Sequence, residues 1–296
     1  MQADSVLKVT KDPFHVSHQV EFVDSQNSGS AVFLTHYSSK VHVALQGPLS
    51  DRMHAQHDSA SITVFITHDV GYPTAGASGK IVTSLKKKQR AQEDALLIER
   101  IQHAFSSVID HSAYSRCTFS FSVHIMHIGS SFLSTVLCAC MLCLISAGVE
   151  CVTTLIPQSC VLVRRCVNGV DQRRVLLNPS EAHLKELEAE FEKDGEEIWL
   201  HRTTLAHDIR GSKLLAFVFD SVPMIHNEVT STAIAQNPTV LVDSISTMNQ
   251  VCNSEIKGFA QWMKSSYSSQ KLHVVAECVS KLKESNDSNG EGTDDE

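Results

Sequence analysis

The sequence predicts an α+β fold in which mostly antiparallel sheets pack on helices. Short runs rich in β-branched residues, separated by turn residues, fill the first 70 residues and recur after residue 150. Longer segments whose apolar residues repeat at helical spacing follow each group of strands. Grouped strands followed by helices are typical of α+β domains.

The first half of the chain contains five predicted strands and a helix. The strands have period-2 alternation or continuous apolar runs and cover 6–10, 20–24, 30–37, 40–45 and 61–70. A Gly/Pro/Ser-rich loop is predicted for 71–80. A helix is predicted for 89–110, because six apolar residues there follow helical spacing: Leu96, Leu97, Ile101, Ala104, Phe105 and Val108.

The stretch 117–149 contains no Asp, Glu, Lys or Arg. It predicts a strand over 116–126 and an apolar helix over 131–147, with Gly148 as its C-terminal cap glycine. A helix that is apolar all round is either a membrane span or the centre of a large core. Serines and histidines in the preceding strand, small residues within the helix and the lack of polybasic flanks favour the core helix.

The second half repeats the strand-then-helix arrangement. Strands are predicted at 151–157, 159–167, 213–222, 231–240 and 239–244, and helices at 180–198, 244–267 and 270–284. Ser180 is the predicted N-cap of the first of these helices. We therefore expect one domain over 1–283, with an acidic helical insertion around 180–205. The acidic tail 284–296 has the composition of a disordered segment.

The charge balance excludes a globally basic nucleic-acid-binding protein. Lys plus Arg is 25 and Asp plus Glu is 33, and the last 13 residues contain six of those acids and no basic residue. Two local basic clusters remain, each either a solvated surface or a contact for RNA phosphates. The first cluster comprises Lys86, Lys87, Lys88 and Arg90. The second comprises Arg164 and Arg165, with Arg173 and Arg174 across a predicted turn.

The cysteine and histidine patterns do not predict a metal site or a cofactor. The N-terminus lacks the features of a secretory signal, so we expect the nine cysteines to be reduced intracellular thiols. Cys138, Cys140 and Cys143 fall inside the apolar helix, where a buried cysteine behaves as a small hydrophobe. His124 and His127 would face opposite sides of a strand. Motifs for nucleotide binding and hydrolysis are also missing.

Three stretches together resemble the RNase PH family, and within it the ring subunits of the RNA exosome. Gly29-Ser30-Ala31, Lys40-Val41 and Gly47-Pro48 are similar to the N-terminal hairpin of the family. Residues 116–149 are similar to its strand, its D-x-G-[GST] turn and its helix ending in A-G-[IV]. Residues 215–262 resemble its C-terminal half.

The resemblance implies a ribosomal-S5-domain-2-like fold and a ring of six such domains around an RNA channel. Active members degrade RNA from the 3′ end with phosphate as nucleophile, which requires a cationic phosphate cradle and carboxylates. In this chain the phosphate turn reads Gly129-Ser130-Ser131, with Ser131 where the family has arginine. Asn178 stands where the first carboxylate is expected, and the second acidic position, near 211–213, contains no acid.

The resemblance and these departures lead us to expect a structural, non-catalytic ring subunit without cofactors. Its expected partners are other RNase PH-like ring subunits, cap subunits and RNA, and its expected locations are the nucleus, with the nucleolus, and the cytoplasm. An active phosphorolytic exoribonuclease, with Asp208 near a basic residue, is the alternative. The acidic segment 181–197 is either a solvated helix or a docking surface on the outside of the ring.

Overall fold

The computed structural model describes residues 6–11, 19–23, 29–36, 39–50, 59–69, 80–129, 131–167, 170–180, 182–186, 198–209, 214–221, 245–258, 260–265 and 268. Within these ranges the elements are, in chain order, β1 (Val6–Lys11), β2 (Gln19–Val23), β3 (Gly29–His36), β4 (Ser39–Ser50), β5 (Ser61–His68), α1 (Lys80–Ser106), β6 (Cys117–His127), α2 (Phe132–Ser146), β7 (Leu155–Val167), β8 (Val170–Leu177), β9 (Ile198–Asp208) and β10 (Leu214–Ser221). Residues 182–186, 245–258 and 260–265 are also helical.

The strands form two five-stranded sheets. The first sheet has the order β2-β3-β4-β6-β5, and the second has the order β1-β8-β7-β9-β10. Each sheet contains a single parallel pair among its described strands, β5 with β6 and β1 with β8, and the other pairs are antiparallel. The predicted α+β class with mostly antiparallel sheets is therefore confirmed.

Helix α2 lies between the two sheets, in contact with β3 and β4 on one side and with β7 and β9 on the other. Residues 133–144 are all buried. Burial on every side explains why this helix has no polar face, and it confirms the predicted core helix. Among the helices in the described ranges, none combines the length and the apolar character that a membrane span requires.

The C-terminus of α2 is closed by a Schellman motif. Gly148 has a φ of 69°, in the left-handed region. Its N–H donates to the carbonyl oxygen of Ile145, and the N–H of Val149 donates to that of Leu144, both at 3.1 Å. These two bonds satisfy carbonyl groups that the helix leaves unpaired, which confirms Gly148 as the cap glycine.

Helix α1 covers the first sheet beside β5. Leu97, Ile101 and Phe105 are buried on its inner face, as predicted, whereas Leu96 is 50% exposed. Leu96 and Leu97 are adjacent and point about 100° apart, so only one of them reaches the sheet. The helix also begins at Lys80 rather than at 89, and residues 71–79 of the predicted loop lie outside the described residues.

Gly47 has a steric role in the hairpin that carries the family resemblance. The pairing of β4 with β6 shifts between Gln46 and Leu49. A Cβ atom built on Gly47 would lie 2.9 Å from the carbonyl oxygen of Thr118, and the φ of Gly47 is 140°. Only glycine combines that backbone conformation with so close an approach.

The second sheet is covered on both faces. On one face, Cys160 and Leu162 pack with Met248 and Val251 of the 245–258 helix. On the other face, Val161 and Val163 pack with Leu176 and with Leu184 of the 182–186 helix. The alternating residues of β7 therefore contribute to two separate apolar clusters.

Two predictions about the second half need correction, the strands at 151–167 and the extent of the acidic insertion. The two strands predicted at 151–157 and 159–167 are one strand, β7, which begins at Leu155. Strand β9 was not predicted, and because it begins at Ile198, the acidic helical insertion cannot extend to 205. The N-cap is confirmed, since the N–H of His183 donates to the Oγ of Ser180 at 3.2 Å.

Several other predicted features lie outside the described residues. These are the strands at 231–240 and 239–244, the helix at 270–284, the tail 284–296 and most of the acidic segment, over 187–197.

Candidate functional site

A cavity of about 360 Å³ opens where α1, the end of the first sheet and the second sheet meet near the N-terminus of α2. Its walls come from α1, from β5 and β6 with the turn that follows, from the start of α2, and from β7 and β9. The lining residues are His68, Arg90, Glu93, Asp94, Leu97, Arg100, Ile125, Ile128, Gly129, Phe132, Leu133, Ser159 and Thr204. A concave site between layers with a few polar groups is the usual form of a ligand site.

Helix α1 supplies the charged wall of the cavity. Its lining residues are Arg90, Glu93, Asp94, Leu97 and Arg100, at positions i, i+3, i+4, i+7 and i+10. Such spacing places side chains on one helical face. The two arginines are matched by two carboxylates, so the formal charge of this wall is zero. A phosphate cradle requires an excess of positive charge, which this wall lacks.

His68 joins the first sheet to α1 at the edge of the cavity. Its Nε2 lies 2.8 Å from Oδ1 of Asp94. Both side chains are partly buried. The contact holds the carboxylate of Asp94 toward the end of β5.

The turn that resembles the family's phosphate turn is engaged inside the protein. The N–H of Gly129 donates to the Oγ of Ser39 at 3.1 Å. Ser131 is 3% exposed, and its Oγ donates to the carbonyl oxygen of Pro179 at 3.4 Å. Gly129 lines the cavity whereas Ser131 does not. Ser130 lies outside the described residues.

The backbone of Ser131 also anchors the first turn of α2. Its carbonyl oxygen accepts hydrogen bonds from the N–H of Thr135 at 3.1 Å, from the Oγ1 of Thr135 at 2.8 Å and from the Oγ of Ser134 at 2.9 Å. Ser131 is the N-cap residue by position, but its side chain makes no capping bond. Its hydroxyl ties α2 to the end of β8 instead.

Asn178 acts as a clamp between β8 and β7. Its N–H donates to the carbonyl oxygen of Ser159 at 2.7 Å, and its Oδ1 accepts from the N–H of Ser159 at 2.8 Å. The residue has a φ of 46° and is 3% exposed. Asparagine tolerates this left-handed conformation better than most residues do. The clamp fixes Ser159, which lines the cavity.

The Nδ2 of Asn178 is buried without a hydrogen-bond partner in the part of the chain that the structure describes. An amide can donate from this atom, whereas a carboxylate would place a negative oxygen there. Asn178 therefore holds the backbone as an uncharged group at the position where the resemblance predicts a carboxylate.

Asp208 is buried at the end of β9 and is not among the residues that line the cavity. Its neighbour His207 is buried beneath the 245–258 helix, with Nε2 2.6 Å from Oδ1 of Asn249. Burial lowers the pKa of His207, although the hydrogen bond to Asn249 and the charge of Asp208 act in the opposite direction. Asp208 therefore contributes no carboxylate to this cavity.

The first basic cluster is on α1. Arg90 is exposed at the rim of the cavity. Lys86 precedes it in the sequence by about one helical turn. The side chains of Lys86, Lys87 and Lys88 lie outside the described part of the structure.

The second basic cluster is on the β7–β8 hairpin. The register places Arg164 opposite Arg173 and Arg165 opposite Gln172. Arg174 lies opposite Val163 on the same hairpin. The predicted turn thus brings basic residues of both strands to one end of the second sheet, although the side chains of Arg164 and Arg165 are not described.

The three cysteines of α2 belong to the core. Cys138, Cys140 and Cys143 are buried, and Cys143 donates through its Sγ to the carbonyl oxygen of Val43 at 3.2 Å. Burial raises the pKa of Cys138 to about 12 and that of Cys140 well above its usual value. Their burial among the other apolar residues of α2 supports the core interpretation.

Sequence reasoning found two members of the cavity, Arg90 and Gly129, and did not bring them together. It missed Asp94, Arg100 and His68. The helical spacing from Arg90 to Arg100 was a signal that these charges share one face, whereas the contributions of Ser159 and Thr204 depend on how the sheets pack.

No protein-family model matches the sequence, and no curated protein is significantly similar to it. The chain is similar in structure to rice (Oryza sativa) Rrp46. The TM-score is 0.54 and the identity is 13%, over 85% of this chain and 93% of the rice chain. The likeness extends over nearly the whole of both chains, so the predicted RNase PH-like fold is confirmed.

Proposed function

We propose that this chain is a structural subunit of an RNA exosome ring that has no phosphorolytic site of its own. Rice Rrp46 is an RNase PH-like exosome subunit, and the two chains share their fold. The proposed role is to complete the ring with other RNase PH-like subunits, to support cap subunits and to help guide RNA toward 3′-to-5′ processing and degradation. The nucleus, with the nucleolus, and the cytoplasm are the proposed locations.

The observation that carries the non-catalytic part of the proposal is the placement of Ser131. A family arginine at this turn could bind phosphate through two hydrogen bonds. Ser131 has a short neutral side chain that is bonded to Pro179 inside the protein. Asn178, clamped to Ser159, adds a second neutral group at a position that catalysis would need charged.

The electrostatics of the cavity support the same proposal. Arg90 and Arg100 share their wall with Glu93 and Asp94. Inorganic phosphate carries one to two negative charges at neutral pH, and a wall with no net charge would attract it weakly. The alternative, an active phosphorolytic exoribonuclease, would have to recruit cations from elsewhere.

Ring membership can be tested by purifying the tagged chain from its native cells and identifying the associated proteins by mass spectrometry. The proposal predicts five other RNase PH-like chains in stoichiometric amounts. Recovery of the chain alone, or with unrelated proteins, would contradict it.

Contact with RNA can be tested in the purified complex through the salt dependence of RNA binding. A plot of log K for RNA binding against log salt has a negative slope. Each lost phosphate contact to a single strand reduces the magnitude of that slope by about 0.7. We expect replacement of Lys86, Lys87, Lys88 and Arg90 by glutamine to reduce the magnitude of this slope. The matched variant replaces Arg164 and Arg165 by glutamine. An unchanged slope in both variants would contradict the proposal that these clusters contact RNA.

A further inference from the structure

Two histidines face each other on the outer surface of the first sheet. His42 on β4 is directly opposite His124 on β6 in the antiparallel register. Their neighbours Val41, Val43 and Val123 are buried against the helices. Side chains alternate along a strand, so both imidazoles lie on the face away from α1 and α2. Directly opposite Cβ atoms in such a pair are about 4.5–5.5 Å apart.

The ring of His124 is held from the neighbouring strand. Thr67 on β5 is paired with His124, and its Oγ1 lies 2.9 Å from the Nδ1 of His124. When Nδ1–H donates to the threonine oxygen, Nε2 carries the free lone pair and points away from Thr67. A hydrogen bond on one ring nitrogen that orients the other is the usual arrangement around metal-binding histidines.

The surroundings of His42 favour its neutral imidazole. Burial and the proximity of His124 lower the pKa of His42. Strands β4, β5 and β6 contain no carboxylate that could stabilise an imidazolium. On strands β4 to β6, the other charged or titratable residues near this face are Lys40 and His127, which are opposite each other in the register. Glu21 of β2 falls in the same cross-strand row, two strands away from His42. Neutral imidazole is the form that coordinates a metal.

We propose that His42 and His124 form a two-imidazole site for a transition-metal cation such as Zn²⁺ or Cu²⁺. Imidazole nitrogen suits these ions, and one cation bound between the rings uses both lone pairs. No group of three or more metal-ligating side chains occurs in the described ranges, so water completes the coordination shell. The site is therefore exchangeable rather than a permanent structural zinc site.

This site is separate from the cavity described above. Ile125, the residue after His124, lines the cavity on the inner side of the same strand. The two imidazoles lie on the outer side, so the sheet stands between them and the cavity. Loss of the proposed ring function would leave the metal site unaffected, and the reverse also holds.

The experiment is a Zn²⁺ titration of the full chain by calorimetry at pH 7.5, in parallel with His42→Gln, His124→Gln and the double variant. Other histidines provide background binding that all forms share. We expect each single variant to bind Zn²⁺ at this site at least about tenfold more weakly than the wild-type chain does. The double variant loses no more than either single variant, because either change breaks the pair.

His127→Gln is the matched control, since it removes an exposed histidine from the same strand and leaves the pair intact. It should bind Zn²⁺ with the wild-type affinity. Thr67→Val keeps both imidazoles but removes the orienting hydrogen bond, and should give an intermediate loss. Unchanged Zn²⁺ affinity in His42→Gln or His124→Gln would overturn the proposal.

A second measurement uses the wild-type chain and does not depend on the folding of any variant. Diethyl pyrocarbonate modifies accessible imidazoles, and mass spectrometry reports the modified positions. Zn²⁺ should protect His42 and His124 together and leave His127 modified to the same extent. Equal modification of His42 and His124 with and without Zn²⁺ would contradict the site.

Discussion

Asn178 is the position at which a family carboxylate can be restored by a single change, Asn178→Asp. The residue is 3% exposed, and its Oδ1 accepts the N–H of Ser159 while its Nδ2 has no partner in the described structure. Aspartate keeps the shape of asparagine and its tolerance of a left-handed φ. It changes mainly the charge, so the variant isolates the effect of an anion at this site.

The cost of that anion follows from burial. Burial of a carboxylate raises its pKa by up to about 3–5 units, and each unit corresponds to about 1.4 kcal/mol. The retained hydrogen bond from Ser159 offsets about 1.5–3 kcal/mol, because hydrogen bonds to charged groups are strong. We expect Asn178→Asp to lose about 2–4 kcal/mol of unfolding free energy at pH 7.5.

The pH dependence identifies the cause. The pKa of the new carboxyl is raised in the folded protein above its unfolded value of about 3.9. The variant is therefore close to wild type below pH 4, and its deficit grows as pH rises from the unfolded toward the folded pKa. Denaturant unfolding of both proteins between pH 4 and pH 8 measures this difference. A deficit that is constant with pH would refute the reasoning from charge. Phosphate-dependent RNA decay by Asn178→Asp would refute the claim that Ser131 by itself is enough to prevent phosphorolysis.

Three further predictions concern the described core. Gly148→Ala should destabilise the protein by about 1 kcal/mol, because φ is 69° there, whereas Gly258→Ala, in a helix with open space, should be neutral or stabilising; thermal melts compare them. Leu142→Ala should cost about 2–5 kcal/mol, and Leu96→Ala, at 50% exposure, less than about 0.5 kcal/mol, as measured by denaturant unfolding. Since burial raises the pKa of Cys138 to about 12, a thiol reagent at pH 8 should label it only after urea is added. Rapid labelling of Cys138 in the native state would contradict its burial. An unchanged stability of Leu142→Ala, or equal effects of the two glycine changes, would contradict the other two assignments.

The apolar helix α2 could be predicted because its sequence contains several independent signals. The absence of charge, the small residues and Gly148 all agreed on a buried helix with a glycine cap. The sequence did not show why the helix is buried on every side. The reason is the second sheet, which covers the side of α2 that faces away from the first sheet. That sheet forms from residues before Lys11 and after Leu155, so it depends on pairing across the whole chain.

Strand β9 was missed for a local reason. Residues 198–208 contain two histidines and an arginine, and they directly follow a strongly acidic helical segment. Their apolar and polar residues do alternate in part, but the acidic helix pattern was extended across them. Pairing with β7 and β10 on both sides makes this segment a central strand, in agreement with its strand-favouring residues Ile198, Trp199 and Thr203.

The candidate site shows the same division between local and tertiary information. Motif comparison located Gly129, and charge clustering located Arg90. Ser131 was expected to be part of an inactive phosphate turn. Its hydrogen bond to Pro179 could not be predicted, because it depends on β8 ending beside α2. The cavity itself exists because α1 and the second sheet meet there, which no spacing in the sequence encodes.

The most direct test of the central claim is a phosphate-dependent RNA decay assay on the purified chain and on the native complex that contains it. The readout is release of nucleoside diphosphates from RNA with a labelled 3′ end, with and without inorganic phosphate. The account predicts no phosphate-dependent release by the isolated chain. It also predicts that Ser131→Ala and Asn178→Ser complexes that remain assembled decay RNA at the wild-type rate. Phosphorolysis by the isolated chain, abolished by either change, would contradict it.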